Sequence, residues 1–306
     1  MKVDVIIPTY QPGKRLFRLL DSLEKQSMPL ESIIIMNTGR EYLERLITGT
    51  GFEERYPNVK IYHLEKGEFD HGATRHKGVQ YSESEIFMVM TQDAMPVDCC
   101  LVERLTGALK PDIAVAYARQ LPGKDSSEFE KISRAFNYPE ESRIKTAADL
   151  GRLGIKTFFC SNVCAAYRRD VYEESGGFIR HTIFNEDMIY AAGAIKAGYG
   201  IAYVADAKVI HSHNYTNVMQ LRRNFDLGVS QANHPEIFQK VTSEAEGKKL
   251  VKEAWNYFKQ NKCPWRFPGF CLQCGFKYTG YLLGKHYKAL PRTLILGITT
   301  NKEYWT

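Results

Sequence analysis

A lone carboxylate, Asp93, closes the segment IFMVMTQDAMP (Ile86–Pro96). The apolar run before it is short and Pro96 follows it, so the segment reads as a buried strand ending in a loop. An acid there is a turn residue or a group with a chemical role. A second group is Glu186 and Asp187 in FNEDM, heading a helix whose face is otherwise apolar and small (Met188, Ala191, Ala192, Ile195). The helix dipole alone favours acids at that end. The functional reading is a general base, since an Asp ionised at neutral pH can take the proton of an attacking hydroxyl. A third group is His211 and His213 in HSH at the end of an extended run, where alternation puts both rings on one face. Neutral imidazoles there suit a metal or a phosphate.

Two further segments are basic. FDHGATRHKG places His71, Gly72, Arg75, His76 and Lys77 at the start of a helix. Cations there oppose the helix dipole, and a helix N-terminus with basic side chains suits an anion such as a diphosphate. The Gly–Lys–Ser/Thr ending of a P-loop is missing. QLRRNFDLG offers Arg222 and Arg223, either a diphosphate clamp or an ordinary basic helix face.

These residues need a frame to bring them together. The first half alternates strands (VDVIIPTY, ESIIIMN, VKIYHL, IFMVMTQD, IAVAYARQ) with helices, one of which carries Leu16, Leu19, Leu20 and Leu23 at helical spacing. That pattern predicts a mainly parallel open sheet flanked by helices, which binds ligands beyond the carboxyl ends of its strands. Asp93, Pro8–Thr9–Tyr10 and Asn37 all fall at such ends. Residues 124–156 read as a helical excursion or lid, and 200–213 as a strand pair ending in the two histidines. After Ala232 the alternation gives way to helices.

Composition narrows the classes. The chain has 306 residues, 44% hydrophobic and 25% charged, ordinary for a globular protein. A net charge of +6 fits an anionic ligand or membrane surface. The basic residues are spread out, which speaks against nucleic acid. The first residues lack a signal-peptide pattern and no apolar run is long enough to span a bilayer, so the expected location is cytoplasmic, including the inner face of the plasma membrane. Seven cysteines, an odd number, read as reduced thiols, and Cys271 and Cys274 form a CxxC without a second pair at zinc spacing. The stretch from Trp265 to Arg292 mixes aromatic and basic residues. It is either an interfacial membrane helix or a helix packed on the main domain or on a second subunit of a homodimer.

In this order, IIPTY, FDHGATRHKG, TQDAMP, FNEDMIYAAGAIKAGY, HSH and RRNFDLG resemble the family 2 glycosyltransferases, over roughly Val3 to Gly228. Within that family they look most like bacterial rhamnosyltransferases that use dTDP-L-rhamnose to build surface polysaccharides. The resemblance implies the GT-A fold, with a catalytic domain over 1–232 and a helical C-terminal extension over 233–306. It implies single displacement with inversion, from a nucleotide-sugar donor to an oligosaccharide or lipid-linked acceptor. Pro8, Thr9 and Tyr10 would border the base, and Asn37 stands where the family often has an Asp. His71, Gly72, Arg75, Gln92, Arg222 and Arg223 would line the rest of the donor site. The Asp-x-Asp metal motif falls on Thr91, Gln92 and Asp93, with Thr91 in place of the first carboxylate. Asp93 and His211 would hold Mg2+ or Mn2+, and Asp187, paired with Glu186, would be the base. Another donor sugar, or a nucleotide-sugar-binding protein that has lost transfer, are the alternatives. A Rossmann dehydrogenase is disfavoured, because no GxGxxG follows the first strand.

Overall fold

The solid Ile33–Ile34–Ile35 run demands cover on both faces of its strand, and the fold supplies it. In the computed structural model, which describes residues 2–239, 241 and 244–305, nine strands form one sheet. They are β1 (Val3–Tyr10), β2 (Ser32–Thr38), β3 (Val59–Leu64), β4 (Ile86–Met90), β5 (Met95–Pro96), β6 (Ile113–Leu121), β7 (Arg143–Lys145), β8 (Cys164–Arg168) and β9 (Gly200–Ile210). The order is β3-β2-β1-β4-β8-β6-β9-β5, with β7 on β9. The run β3-β2-β1-β4 is parallel, as is β6 with β9. β8, from the FFCSNVCAAYRR segment, runs antiparallel between β4 and β6.

The longer helices are α1 (Arg15–Glu24), α2 (Arg40–Ile47), α3 (His71–Gln80), α4 (Glu128–Asn137), α5 (Glu186–Lys196), α6 (Asn217–Asn233), α7 (Glu244–Gln260) and α8 (Phe267–Lys285). On one face of the sheet, α1 buries its four leucines against Val3, Val5 and Ile7. On the other, Ile6, Ile34 and Met36 join Val79 of α3 and Ile195 of α5. Each fully buried leucine contributes about 1.5–3 kcal/mol.

One element differs from expectation in a way that matters for the site. Residues 200–210 form one continuous strand, not a strand pair. Its register against β6 jumps between Ala118↔Val204 and Arg119↔Lys208, a bulge that turns the far end of β9 toward β5. There Met95 pairs with Ile210, antiparallel. Continuing that register by two residues sets Asp93 opposite Ser212, between the two histidines.

The predicted excursion contains α4, β7 and short helical turns. The last helices are held to the main body: the backbone of α8 at Gly280 and Gly284 lies so close to α6 that a Cβ would collide with the carbonyls of Leu221 and Phe225. Among the described residues no helix is long and apolar enough to cross a membrane.

Candidate active site

Asp93 lies in a turn closed by Ala94 N–H donating to Thr91 O (3.1 Å), so it is a turn residue and more. Its Oδ1 is 3.5 Å from His211 Nε2 and its Oδ2 is 3.2 Å from His213 Nε2. The two Nε2 atoms are 3.1 Å apart. One ligand atom from each residue falls within 4.8 Å of the others. On its far side His211 Nδ1 meets Gln120 Oε1 at 3.0 Å, which orients the ring and turns Nε2 inward. Burial works to raise the pKa of Asp93, but hydrogen bonds from His213 and Thr91 hold it well below the usual range. Burial pushes His211 down to about 3, so its imidazole is neutral and free to ligate. A carboxylate oxygen and two imidazole nitrogens facing one point form a donor set for a first-row divalent metal.

The second cluster belongs to the start of α5. The helix is entered through Asn185 at φ 67°, a left-handed conformation that Asn tolerates better than most residues. Glu186 is buried, 3.3 Å from Arg75 Nη1 and accepting from Asn162 Nδ2 at 3.0 Å. Asp187 keeps a partly open face. It accepts from the backbone N–H of Asn162 (2.9 Å) and of Met188 (2.8 Å). Burial first, and the Glu186 charge second, push its pKa up to about 7. From sequence alone this acid is expected to be simply ionised. The structure corrects that expectation: the amide bonds lower the pKa, but burial and crowding by Glu186 outweigh them. Asp187 and the Asp93–His211–His213 cluster line one cavity of about 320 Å³, with Arg75 and His71 in its wall.

The other expected donor contacts fare differently. Asp70 occupies the N-terminus of α3, accepting from Gly72 and Ala73 N–H at 2.8 Å each, so the anion site expected there already holds a carboxylate. Gly72 is small because a Cβ would strike the carbonyl of Ile179, not to admit a ligand. Arg75 is committed to Glu186 and to His71 O (2.8 Å). Gln92 is engaged with the backbone of Tyr10, accepting from N–H (3.2 Å) and donating to O (2.9 Å). Asn37 is fully buried, accepting from Thr9 Oγ1 (2.9 Å) and donating to Gly39 O (3.1 Å). Its side chain has no free face for a ribose. Pro8, Thr9 and Tyr10 do not line the 320 Å³ cavity, but Tyr10 is exposed on the adjacent rim, beside Tyr42. Arg222 and Arg223 are both exposed on α6, but Arg223 borders the cavity and lies over Phe184, whereas Arg222 lies outside the cavity lining.

The HSH motif marks both imidazoles, but the resemblance implies only His211 as a metal ligand, and the structure groups His213 with it. Two other residues of the site carry no clear mark in the sequence. Gln120 and Asn162 are polar residues at a strand end and in a loop, without a motif. Only the buried partners they hold give them away.

The sequence profile of Glycosyl transferase family 2 matches residues 4–176. That span includes Asp93 but not Asp187, His211 or His213. An O-antigen chain rhamnosyltransferase, RfbN, from Salmonella typhimurium is 37% identical over 100% of this chain and 96% of its own. A second, WbaN from Salmonella anatum, is 38% identical over 98% and 95%. Among solved structures, the mannosyltransferase PcManGT from Pyrobaculum calidifontis, in complex with GDP-Man and Mn2+, superimposes with a TM-score of 0.56 at 17% identity, covering 99% of this chain and 84% of that one. S. aureus TarS 1–349 gives 0.55 at 14% identity, covering 94% and 91%. Both structures share the GT-A fold with this chain.

Proposed function

The chain belongs to glycosyl transferase family 2, and from that premise we propose that it is an inverting enzyme moving L-rhamnose from dTDP-L-rhamnose to a hydroxyl of a growing polysaccharide. One observation carries the chemistry. A carboxyl held near neutrality, Asp187, shares a cavity with a metal-type cluster, Asp93–His211–His213. The sugar follows from the names of the full-length relatives.

The acceptor hydroxyl gives its proton to an Asp187 carboxylate oxygen as its own oxygen bonds the anomeric carbon. The bond from that carbon to the diphosphate breaks, and its electron pair leaves with the diphosphate. Attack opposite the leaving group inverts the centre, so a β-linked donor gives an α-linked product. A divalent ion held by Asp93, His211 and His213 would neutralise charge on the leaving diphosphate. Two nitrogen donors favour Mn2+ over Mg2+, which prefers oxygen. His213 makes up for the carboxylate missing at Thr91, which removes the main reason to think transfer has been lost. Arg223 adds positive charge at the cavity wall, and Tyr10 on the neighbouring rim is the surface we assign to the base. Arg75 positions Glu186 rather than the donor.

The test is nucleotide release and product linkage with Mn2+ and a panel of dTDP-, UDP- and GDP-sugars. The reading expects dTDP-L-rhamnose to turn over at least about tenfold faster than the others and to give an α-linkage by NMR. A faster turnover of another donor would overturn the sugar assignment. No nucleotide release from any donor would overturn transfer itself.

A further inference from the structure

His211 can hold a cation only through Nε2, because its Nδ1 faces Gln120. A neutral imidazole carries one proton, and the nitrogen that carries it cannot ligate. Asp93 Oδ1 lies 3.5 Å from Nε2 and draws the proton to that nitrogen, the wrong one. Gln120 Oε1 opposes this from the other side of the ring, by accepting from Nδ1–H at 3.0 Å. The outcome depends on which end of the Gln120 amide faces the ring. Turned over, the amide would present its NH2 to Nδ1 and leave the proton on Nε2.

Gln120 is buried, and both ends of its amide are engaged. Its Nε2 donates to Tyr138 Oη and to Ser161 Oγ, the latter at 2.8 Å. Hydroxyls both give and take hydrogen bonds, so these two would accept either orientation of the amide. Its Oε1 takes a second hydrogen bond, from Arg134 Nη1. A guanidinium only donates, so Arg134 fixes the oxygen end toward itself and His211. Arg134 is in turn set in place on α4. Its Nε donates to Glu130 Oε1 at 2.7 Å, and its guanidinium lies 5.8 Å from the centroid of the Tyr138 ring. The approach to α4 is tied to the histidine segment. Ser212 Oγ accepts from Gly123 N–H (2.9 Å) and from the Ser126 hydroxyl (2.8 Å), and Asn214 Oδ1 accepts from Ser127 N–H (2.9 Å).

We propose that Arg134 is a positioning residue for the metal: through Gln120 it keeps the His211 proton on Nδ1 and leaves Nε2 open to a divalent cation. This rests on the reading of Asp93, His211 and His213 as the metal site and adds the residue that prepares it. Without Arg134, both orientations of the amide satisfy Tyr138 and Ser161. The Asp93 charge then decides the tautomer, in favour of a proton on Nε2, and a metal must displace that proton before it binds. Arg134 also borders the cavity, so direct contact with the donor is the competing role.

The tautomer is read in the metal-free full chain from the nitrogen NMR shifts of the His211 ring, identified by their loss in His211→Gln. The unaltered chain should show the Nδ1–H form. Arg134→Met should move most of the population to the Nε2–H form and weaken Mn2+ binding about tenfold by calorimetry. Arg134→Lys, which keeps a donor for the same oxygen, should restore the Nδ1–H form and much of the affinity. Binding of dTDP without metal should be the same in the unaltered chain and both Arg134 variants, which also reports folding. A His211 tautomer that Arg134→Met leaves unchanged would overturn the proposal, whether or not Mn2+ binding falls. So would an Arg134→Met variant whose chief loss is metal-free dTDP binding. Failure of the metal reading shows separately, as absence of Mn2+ binding by the unaltered chain, and the tautomer comparison decides the role of Arg134 in either case.

Discussion

Asp93 and Asp187 line the same cavity and are held in opposite states. Asp93 is flanked by two imidazoles, and its carboxyl is kept low and anionic despite burial. Asp187 is flanked by Glu186, and its carboxyl is kept high despite two amide hydrogen bonds. The residue type is identical, and the neighbours decide what each one can do. A permanent anion can hold a cation, while a carboxyl near neutrality can take a proton and release it. The Arg75–Glu186 ion pair is part of this division. It keeps Glu186 charged in a buried place, and that charge lifts Asp187.

Separate substitutions should pull the two halves apart. Asp187→Asn removes the proposed base and should lower kcat by ~10²–10⁴, with dTDP and Mn2+ binding intact by calorimetry. Loss of nucleotide binding together with turnover would erase the contrast. Gln120→Ala frees the far nitrogen of His211 and should weaken Mn2+ by about 10–100-fold, read by metal titration of turnover. His213→Ala removes a proposed ligand and should exceed that loss, while the pH profile at saturating Mn2+ stays put. Equal effects of the two would mean that His213 is only a neighbour.

Much of the frame is legible in the sequence, because apolar period and alternation are local signals. IFMVM announces a strand, and its Asp93 an end. FNEDM announces a helix start. HSH places two rings on one face. What cannot be read is who faces whom. Arg75 looks free for a diphosphate because nothing local shows that Glu186 lies against it. Gly72 and Asn37 look available for a ligand, but packing on Ile179 and the Thr9 hydrogen bond use them. Arg222 and Arg223 are alike in sequence, and only the helix rotation separates them. Asn162 and Gln120 carry no motif.

The most direct test is the pH dependence of kcat/KM in the unaltered chain and in Glu186→Gln, at saturating Mn2+. A base with a raised pKa is protonated and idle below that pKa and active above it. The rate should therefore climb through about pH 7 and level off. Removing the Glu186 charge eases ionisation of Asp187, and the freed Arg75 favours it further, so the rising limb should move to lower pH. A flat profile from about pH 5 to 8, or a limb that Glu186→Gln leaves in place, would contradict the account.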